Sequence, residues 1–222
     1  MTEPVHARAI IFDLDGTLVD SLPGIEFSVD CSLLDCGLPR RTRELRPLVG
    51  PPIRAIFSQL SPESDERSLS RLEQSFRSSY DSTGLSKTVL ADSALGTLRA
   101  LCQSGVPLFV ATNKPSAPTR QILQLLGIGE LFVDVICRDS RTPPFLSKAE
   151  MLRHLLYVHQ LEAKSCLYVG DTCEDYRAAG EMAMPVAIVS YGYGEPGACY
   201  PQAIGLNSLS ELLTKLEVME MS

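Results

Sequence analysis

The sequence predicts an α/β protein, a Rossmann-like parallel sheet with a helical cap domain inserted after its first strand. Three observations carry this. Short apolar runs at 9–12, 106–111 and 165–169 lack polar alternation and read as strands buried on both faces. Each stops at a polar group: Asp13, Thr112, and Gly170-Asp171. Between the first and second runs, residues 20–86 show spacings of three and four instead of strand-like patterning.

Asp13 stands at the carboxyl end of the first strand, the edge where open α/β sheets bind ligands. Asp15 follows, then Gly16 for a sharp turn and Thr17 to hydrogen-bond the loop. Two acids this close repel each other unless compensated, so Asp13-Leu14-Asp15 points to a hard cation bound by oxygen. A helix comes next, with Ser21 as cap, Pro23 in its first turn, and Leu22, Ile25, Val29, Leu33 and Cys36 on one face. Gly37 ends it. A short helix over 42–48, the break Gly50-Pro51-Pro52 and a helix over 53–60 follow. Ser61-Pro62, with acids at 63, 65 and 66, opens a further helix whose apolar face is Leu69, Leu72, Phe76 and Tyr80. A helical block placed here can sit above the strand ends and close over a substrate. The expected division is therefore a core of 1–19 and 87–222 and a cap of 20–86, with hinges near Val19-Asp20 and Ser86-Lys87.

The core resumes with a helix over 92–103, ended by Gly105, and the strand 106–111. The hydroxyl of Thr112, and free N–H groups in Thr112-Asn113-Lys114-Pro115 before a helix at 116–126, suit phosphate oxygens. Gly127, a strand over 133–137 and a proline-containing loop over 138–146 lead to Ser147-Lys148-Ala149-Glu150, which opens a helix with Met151, Leu152, Leu155 and Leu156 inside. Lys148 in a first turn opposes the helix dipole; an anion facing it would explain the misfit. After the strand 165–169, Asp171 and Asp175 lie four apart and can point to one side of a starting helix. A last strand, 185–189, leads to the loop Tyr191-Gly192-Tyr193-Gly194, and a helix over 208–216 closes the chain. Acids, hydroxyl and lysine at one sheet edge converge on one crevice.

Asp13-Leu14-Asp15-Gly16-Thr17 (D-x-D-G-T), Thr112, Lys148 and Gly170-Asp171 with Asp175 (G-D-x-x-x-D) together resemble the four motifs of the haloacid dehalogenase-like superfamily of phosphohydrolases. The position of the helical insertion resembles the phosphoglycolate phosphatase-like branch. Ala149 stands where the family often has proline after its lysine. The resemblance spans nearly the whole chain. It implies a Mg2+-dependent phosphatase that hydrolyses a small phosphomonoester, phosphoglycolate being one candidate, through an aspartyl-phosphate. Asp13 would be the nucleophile, Asp15 the proton donor and acceptor, and Lys148 the cation beside them. Thr112, Asn113 and Lys148 would hold the transferring phosphate, Thr17 would support the Asp15 loop and Asp175 the metal shell. Asp13, the backbone carbonyl of Asp15 and Asp171 would hold Mg2+. The alternatives are a phosphosugar mutase of the β-phosphoglucomutase type and a non-catalytic protein that binds a phosphorylated ligand; Asp15 argues against a dehalogenase.

A net charge of -7 argues against nucleic acid or an anionic membrane as partner. Residues 1–9 lack the apolar core of a secretory leader, and no stretch approaches the roughly 20 apolar residues of a spanning helix, so a cytoplasmic location is expected. The seven cysteines include no C-x-x-C pair, which disfavours a zinc site or a disulfide framework. Cys102, Cys137 and Cys166 sit in apolar runs as small buried groups; Cys173 lies near the expected site with no histidine beside it in sequence. His6, His154 and His159 lie away from every motif. Arg41, Arg43, Arg46, Arg54 and the Gly50-Pro51-Pro52 turn are the expected cap contributions to substrate choice.

Overall fold

The strand expected at the centre of the sheet is at its centre. The computed structural model of the chain describes residues 5–195 and 200–218; Cys199 lies outside them, as does the side chain of His6. In order run β1 (Val5–Ala7), β2 (Ala9–Phe12), β3 (Val19–Asp20), α1 (Leu22–Asp35), α2 (Ile53–Leu60), α3 (Glu66–Ser79), β4 (Val89–Leu90), α4 (Ala94–Gln103) and β5 (Leu108–Thr112). Then come α5 (Ser116–Leu125), β6 (Asp134–Cys137), α6 (Lys148–Val158), β7 (Cys166–Gly170), α7 (Cys173–Glu181), β8 (Val186–Val189), β9 (Ile204–Leu206), α8 (Leu212–Lys215) and β10 (Leu216–Val218).

Six strands form one parallel sheet in the order β6-β5-β2-β7-β8-β9. The order reverses on either side of β2, which puts the switch point, and hence the ligand crevice, at Asp13. The lack of polar alternation in the strands has its cause here, because both faces are covered. Ile10, Phe12, Leu108, Val110, Leu167 and Val169 face α4, α5 and α8 through Leu98, Leu101, Ile122 and Leu212. Ile11, Phe109, Ala111 and Tyr168 face α6 and α7 through Met151, Leu155 and Ala178. Each fully buried Leu, Ile or Phe contributes about 1.5–3 kcal/mol relative to exposure, so the strand ends are held by the most stable part of the molecule.

Every regular element between 22 and 87 is helical, as the spacing predicts. α1 packs on α3 and on the turn at 80–84, burying Val29, Leu33, Leu69, Leu72 and Tyr80. The chain leaves and rejoins the sheet side by side: β3 and β4 pair antiparallel, Val19 with Leu90 and Asp20 with Val89.

Some boundaries differ from the sequence reading. The expected helix at 42–48 is a single 3-10 turn, Arg46–Leu48. α3 starts at Glu66 rather than at Ser61-Pro62, because the Asp65 carboxylate accepts from Ser68 N at 2.8 Å and caps it. The expected closing helix is a 3-10 turn, Leu209–Glu211, and the one-turn α8; the chain then turns extended as β10 and pairs in parallel with β1. Among the described residues no helix is long and apolar enough to cross a membrane.

Candidate active site

The site grows out of four strand ends. Asp13 N–H donates to Val169 O at 2.8 Å, continuing the β2–β7 ladder by one residue and fixing the carboxylate just beyond the sheet. Gly16 has φ +82°, and a Cβ there would overlap the Asp171 carboxylate, so the turn needs glycine for both reasons. Lys148 opens α6 behind its N-cap Ser147, whose hydroxyl accepts from Glu150 N. Its ammonium lies 3.2 Å from Asp13 Oδ1 and donates to Asp175 Oδ1 at 2.5 Å, with all three residues buried. The dipole misfit of the sequence is answered by two carboxylates.

Asp175 is fully used. Its Oδ1 also accepts from Tyr168 Oη at 2.9 Å, and its Oδ2 accepts from the backbone N of Asp171 and Thr172 and from Thr172 Oγ1. Asp171 Oδ2 accepts from Tyr193 N at 2.6 Å, and Asp171 Oδ1 from Thr17 Oγ1 at 3.3 Å. Thr17, expected to support the Asp15 loop, thus reaches Asp171 instead; Tyr193, in the glycine-rich loop after β8, was not singled out by sequence.

Asp13, Asp171 and Asp175 each offer an oxygen within 4.8 Å of the others. Asp13 Oδ1 is buried with no aligned hydrogen-bond donor, although the Lys148 ammonium is near. Burial, followed by the neighbouring acids, pushes the Asp13 carboxyl well above its usual value even against Lys148. Asp171 is pushed up to about 7 by burial and by Asp175. Burial acts on Asp175 in the same direction, but Lys148 and the Thr172 bonds outweigh it and hold it low. For Lys148 burial opposes the charge, and Asp13 and Asp175 overcome it. An all-oxygen donor set with one orphaned carboxylate oxygen and too few cations fits a hard divalent ion.

Asp15 faces the other way. It accepts from Ser21 Oγ at 2.5 Å and from the Lys114 ammonium at 3.1 and 3.2 Å. Ser21, expected as a helix cap, makes no side-chain cap because its hydroxyl is turned to Asp15. Lys114 also donates to Tyr80 Oη at 2.9 Å, so one buried ammonium joins the strand-end loop, the helical segment and Asp15. Sequence reasoning missed this role; the only available signal was a lysine two residues beyond a strand-end threonine. Thr112 is buried and accepts from Lys114 N. The Asn113 amide donates to both Glu174 oxygens at 3.0 Å and to Gly50 O at 3.4 Å. Cys173 is exposed at the start of α7, whereas burial raises the thiols of Cys102, Cys137 and Cys166.

A cavity of about 520 Å³ opens over these groups. Asp13, Asp15, Thr112, Asn113 and Lys148 line its core side, and Ile25, Val49, Pro51, Pro52, Ile53 and Phe76 line the side of the helical segment. The Gly50-Pro51-Pro52 turn therefore reaches it. Arg41, Arg46 and Arg54 are held elsewhere: Arg41 pairs with Glu26 and Asp30, Arg46 donates to Gly192 O, and Arg54 pairs with Glu66 and Glu73. Neither they nor Arg43 line the cavity.

A parallel sheet with a buried Asp-Lys-Asp centre at its switch point belongs to a defined class, and the comparison is direct: residues 10–189 match the haloacid dehalogenase-like hydrolases, and the chain belongs to that family. A phosphoglycolate phosphatase of Vibrio vulnificus is 33% identical over 216 residues, covering 93% of this chain and 94% of that one. A 5'-nucleotidase of Pseudomonas aeruginosa is 33% identical over 190 residues, covering 83% of each. The solved structure of a haloacid dehalogenase-like family protein from Streptococcus pneumoniae superposes with a TM-score of 0.85 at 27% identity, covering 94% of this chain and 97% of that one.

Proposed function

We propose that this protein is a Mg2+-dependent phosphatase that hydrolyses a small phosphomonoester through an aspartyl-phosphate on Asp13. The observation that carries the reading is the buried Asp13 carboxylate, with Lys148 at 3.2 Å and with Asp171 and Asp175 close enough to share an ion with it. A phosphomonoester dianion repels a carboxylate, so attack requires positive charge beside both. Asp13, the Asp15 carbonyl and Asp171 would hold Mg2+, which when bound neutralises charge on the phosphoryl oxygens. Lys148 supplies the second cation, and Asp175, held by Tyr168 and Thr172, keeps it in place. Asp13 attacks phosphorus in line and the alcohol leaves. Asp15, which lines the same cavity, would donate a proton to the leaving oxygen and later take one from the water that cleaves the acyl phosphate. Lys114 and Ser21 orient Asp15. Thr112 and Asn113, which line the same cavity, would hold the transferring oxygens.

In this reading residues 20–86 act as a cap on a core of 1–19 and 87–222, and the paired β3 and β4 are the hinge. The named relatives support a phosphorylated metabolite as substrate. The test is phosphate release from p-nitrophenyl phosphate with Mg2+ and with a chelator. Release that requires the metal is the expected result; a folded, Mg2+-loaded protein that releases none ends the proposal.

A further inference from the structure

We infer that the phosphomonoester taken by this site carries an uncharged, ring-bearing leaving group, not a short carboxylate-bearing one. The inference rests on the phosphatase reading above and names the substrate class within it. Three features of the cavity point the same way.

The first is size. About 520 Å³ lies within the range of roughly 300–1,000 Å³ that encloses drug-sized ligands, whereas a two-carbon acid beyond the phosphate would leave most of it to water against apolar walls. The second is the chemistry of those walls. Val49, Pro51, Pro52, Ile53 and Ile56 present aliphatic surface, and Phe76 stands beside them, stacked on Tyr80 at 5.3 Å with 12° between the rings. Phe57 meets Phe76 edge-on at 6.3 Å, so the Phe76 ring is held in place and is ready to pack on a flat group.

The third is charge. A carboxylate on the leaving group needs a free cation or a set of donors at the far end of the cavity. Beyond the catalytic centre the charged lining residues are Glu73, Asp81, Asp139 and Glu174 against Arg77 and Arg138. Glu73 is shared by Arg77 at 2.6 Å and by Arg54 at 3.2 Å, and Arg54 also pairs with Glu66 outside the lining. Asp139 is held by Ser116 and Glu174 by Asn113, both neutral donors, so their negative charge stays in place. Against Asp81, Asp139 and Glu174 the lining offers Arg138. Lys114 and Lys148 are each committed to carboxylates of the centre. The lining beyond those carboxylates is therefore net acidic and disfavours a second anionic group, whether a carboxylate or a second phosphate.

The experiment compares kcat/KM with Mg2+ for phosphoglycolate, benzyl phosphate and 4-carboxybenzyl phosphate, with p-nitrophenyl phosphate as the activity control. Benzyl phosphate is expected to exceed phosphoglycolate by at least about tenfold, the scale of a few apolar contacts, and its carboxylated analogue to fall by a similar factor. Phe76→Ala should raise KM for benzyl phosphate more than for phosphoglycolate; Ile53→Ala is the second variant if the first does not fold. Phosphoglycolate equal to or better than benzyl phosphate overturns the inference and leaves the phosphatase reading standing. If the folded, Mg2+-loaded protein turns over none of the four, the phosphatase reading falls. Calorimetric titration of the wild-type protein with benzyl phosphate and phosphoglycolate then decides the inference: tighter benzyl phosphate supports it, and equal or weaker overturns it.

Discussion

Replacing a proposed metal ligand would be expected to weaken a protein, yet Asp171→Asn should stabilise this one when no metal is bound. Burial and the proximity of Asp175 raise Asp171 from 3.8 to about 7. A raised carboxyl penalises the folded state only when ionised. The penalty is absent below 3.8, grows as pH rises from there to about 7, and is complete above. At 1.36 kcal/mol per pH unit the full cost is about 4 kcal/mol at pH 8, and less than half of that at pH 5. An asparagine keeps an acceptor for Tyr193 N and a partner for Thr17 while removing the charge. We expect the variant in EDTA at pH 8 to be more stable by roughly 2–4 kcal/mol, a rise in Tm of about 5–15 °C. The advantage should fall by more than half at pH 5, and Mg2+ should narrow it by stabilising the wild type selectively. Thermal melts at the two pH values, with and without metal, read all of this. A variant no more stable than wild type at pH 8 in EDTA, or equally advantaged at both pH values, refutes the electrostatic account.

Asp13→Asn should retain the fold and lower turnover of p-nitrophenyl phosphate by about a thousandfold or more, checked by circular dichroism beside steady-state rates. Lys148→Met leaves Asp13 and Asp175 buried without their shared cation and should cost about 3–5 kcal/mol in urea denaturation of the metal-free protein; a loss under about 1 kcal/mol would contradict the geometry. Lys114→Met frees Asp15 from Tyr80, so its rate deficit should be largest for phosphates of poorly acidic alcohols, on the order of 10–100-fold, and smallest for p-nitrophenyl phosphate. A deficit independent of the leaving group would remove Asp15 orientation as its role. Gly16→Ala, which forces a side chain at positive φ into Asp171, should abolish activity with little change in far-ultraviolet dichroism.

The sheet was legible because burial on both faces erases polar alternation, and the polar residue after each run marks where burial ends. Lys148 was legible for a related reason, since a cation in a first turn breaks a local rule that only a distant anion can repair. The roles of Lys114, Ser21 and Tyr193 were not. Their contacts to Asp15, Asp15 and Asp171 span 99, 6 and 22 residues, respectively, and no local pattern encodes them. The strand β10, at the end of the helix expected over 208–216, went unread because its partner β1 lies at the opposite end of the chain. The arginines of 41–54 looked like substrate contacts from charge alone; the acids that bind Arg41 and Arg54 lie 11 to 19 residues away from them on other turns of the helical segment. The Gly50-Pro51-Pro52 turn named with them does line the cavity, together with the apolar neighbours Val49 and Ile53.

The antiparallel pairing of β3 with β4 brings the two ends of the helical segment to adjacent positions. To the sheet, everything between them is one very long hairpin loop, and lengthening a loop adds closure entropy only logarithmically. Natural variation can therefore exchange the whole cavity wall built by the helical segment for another of different size or polarity while the carboxylates at the strand ends stay in register.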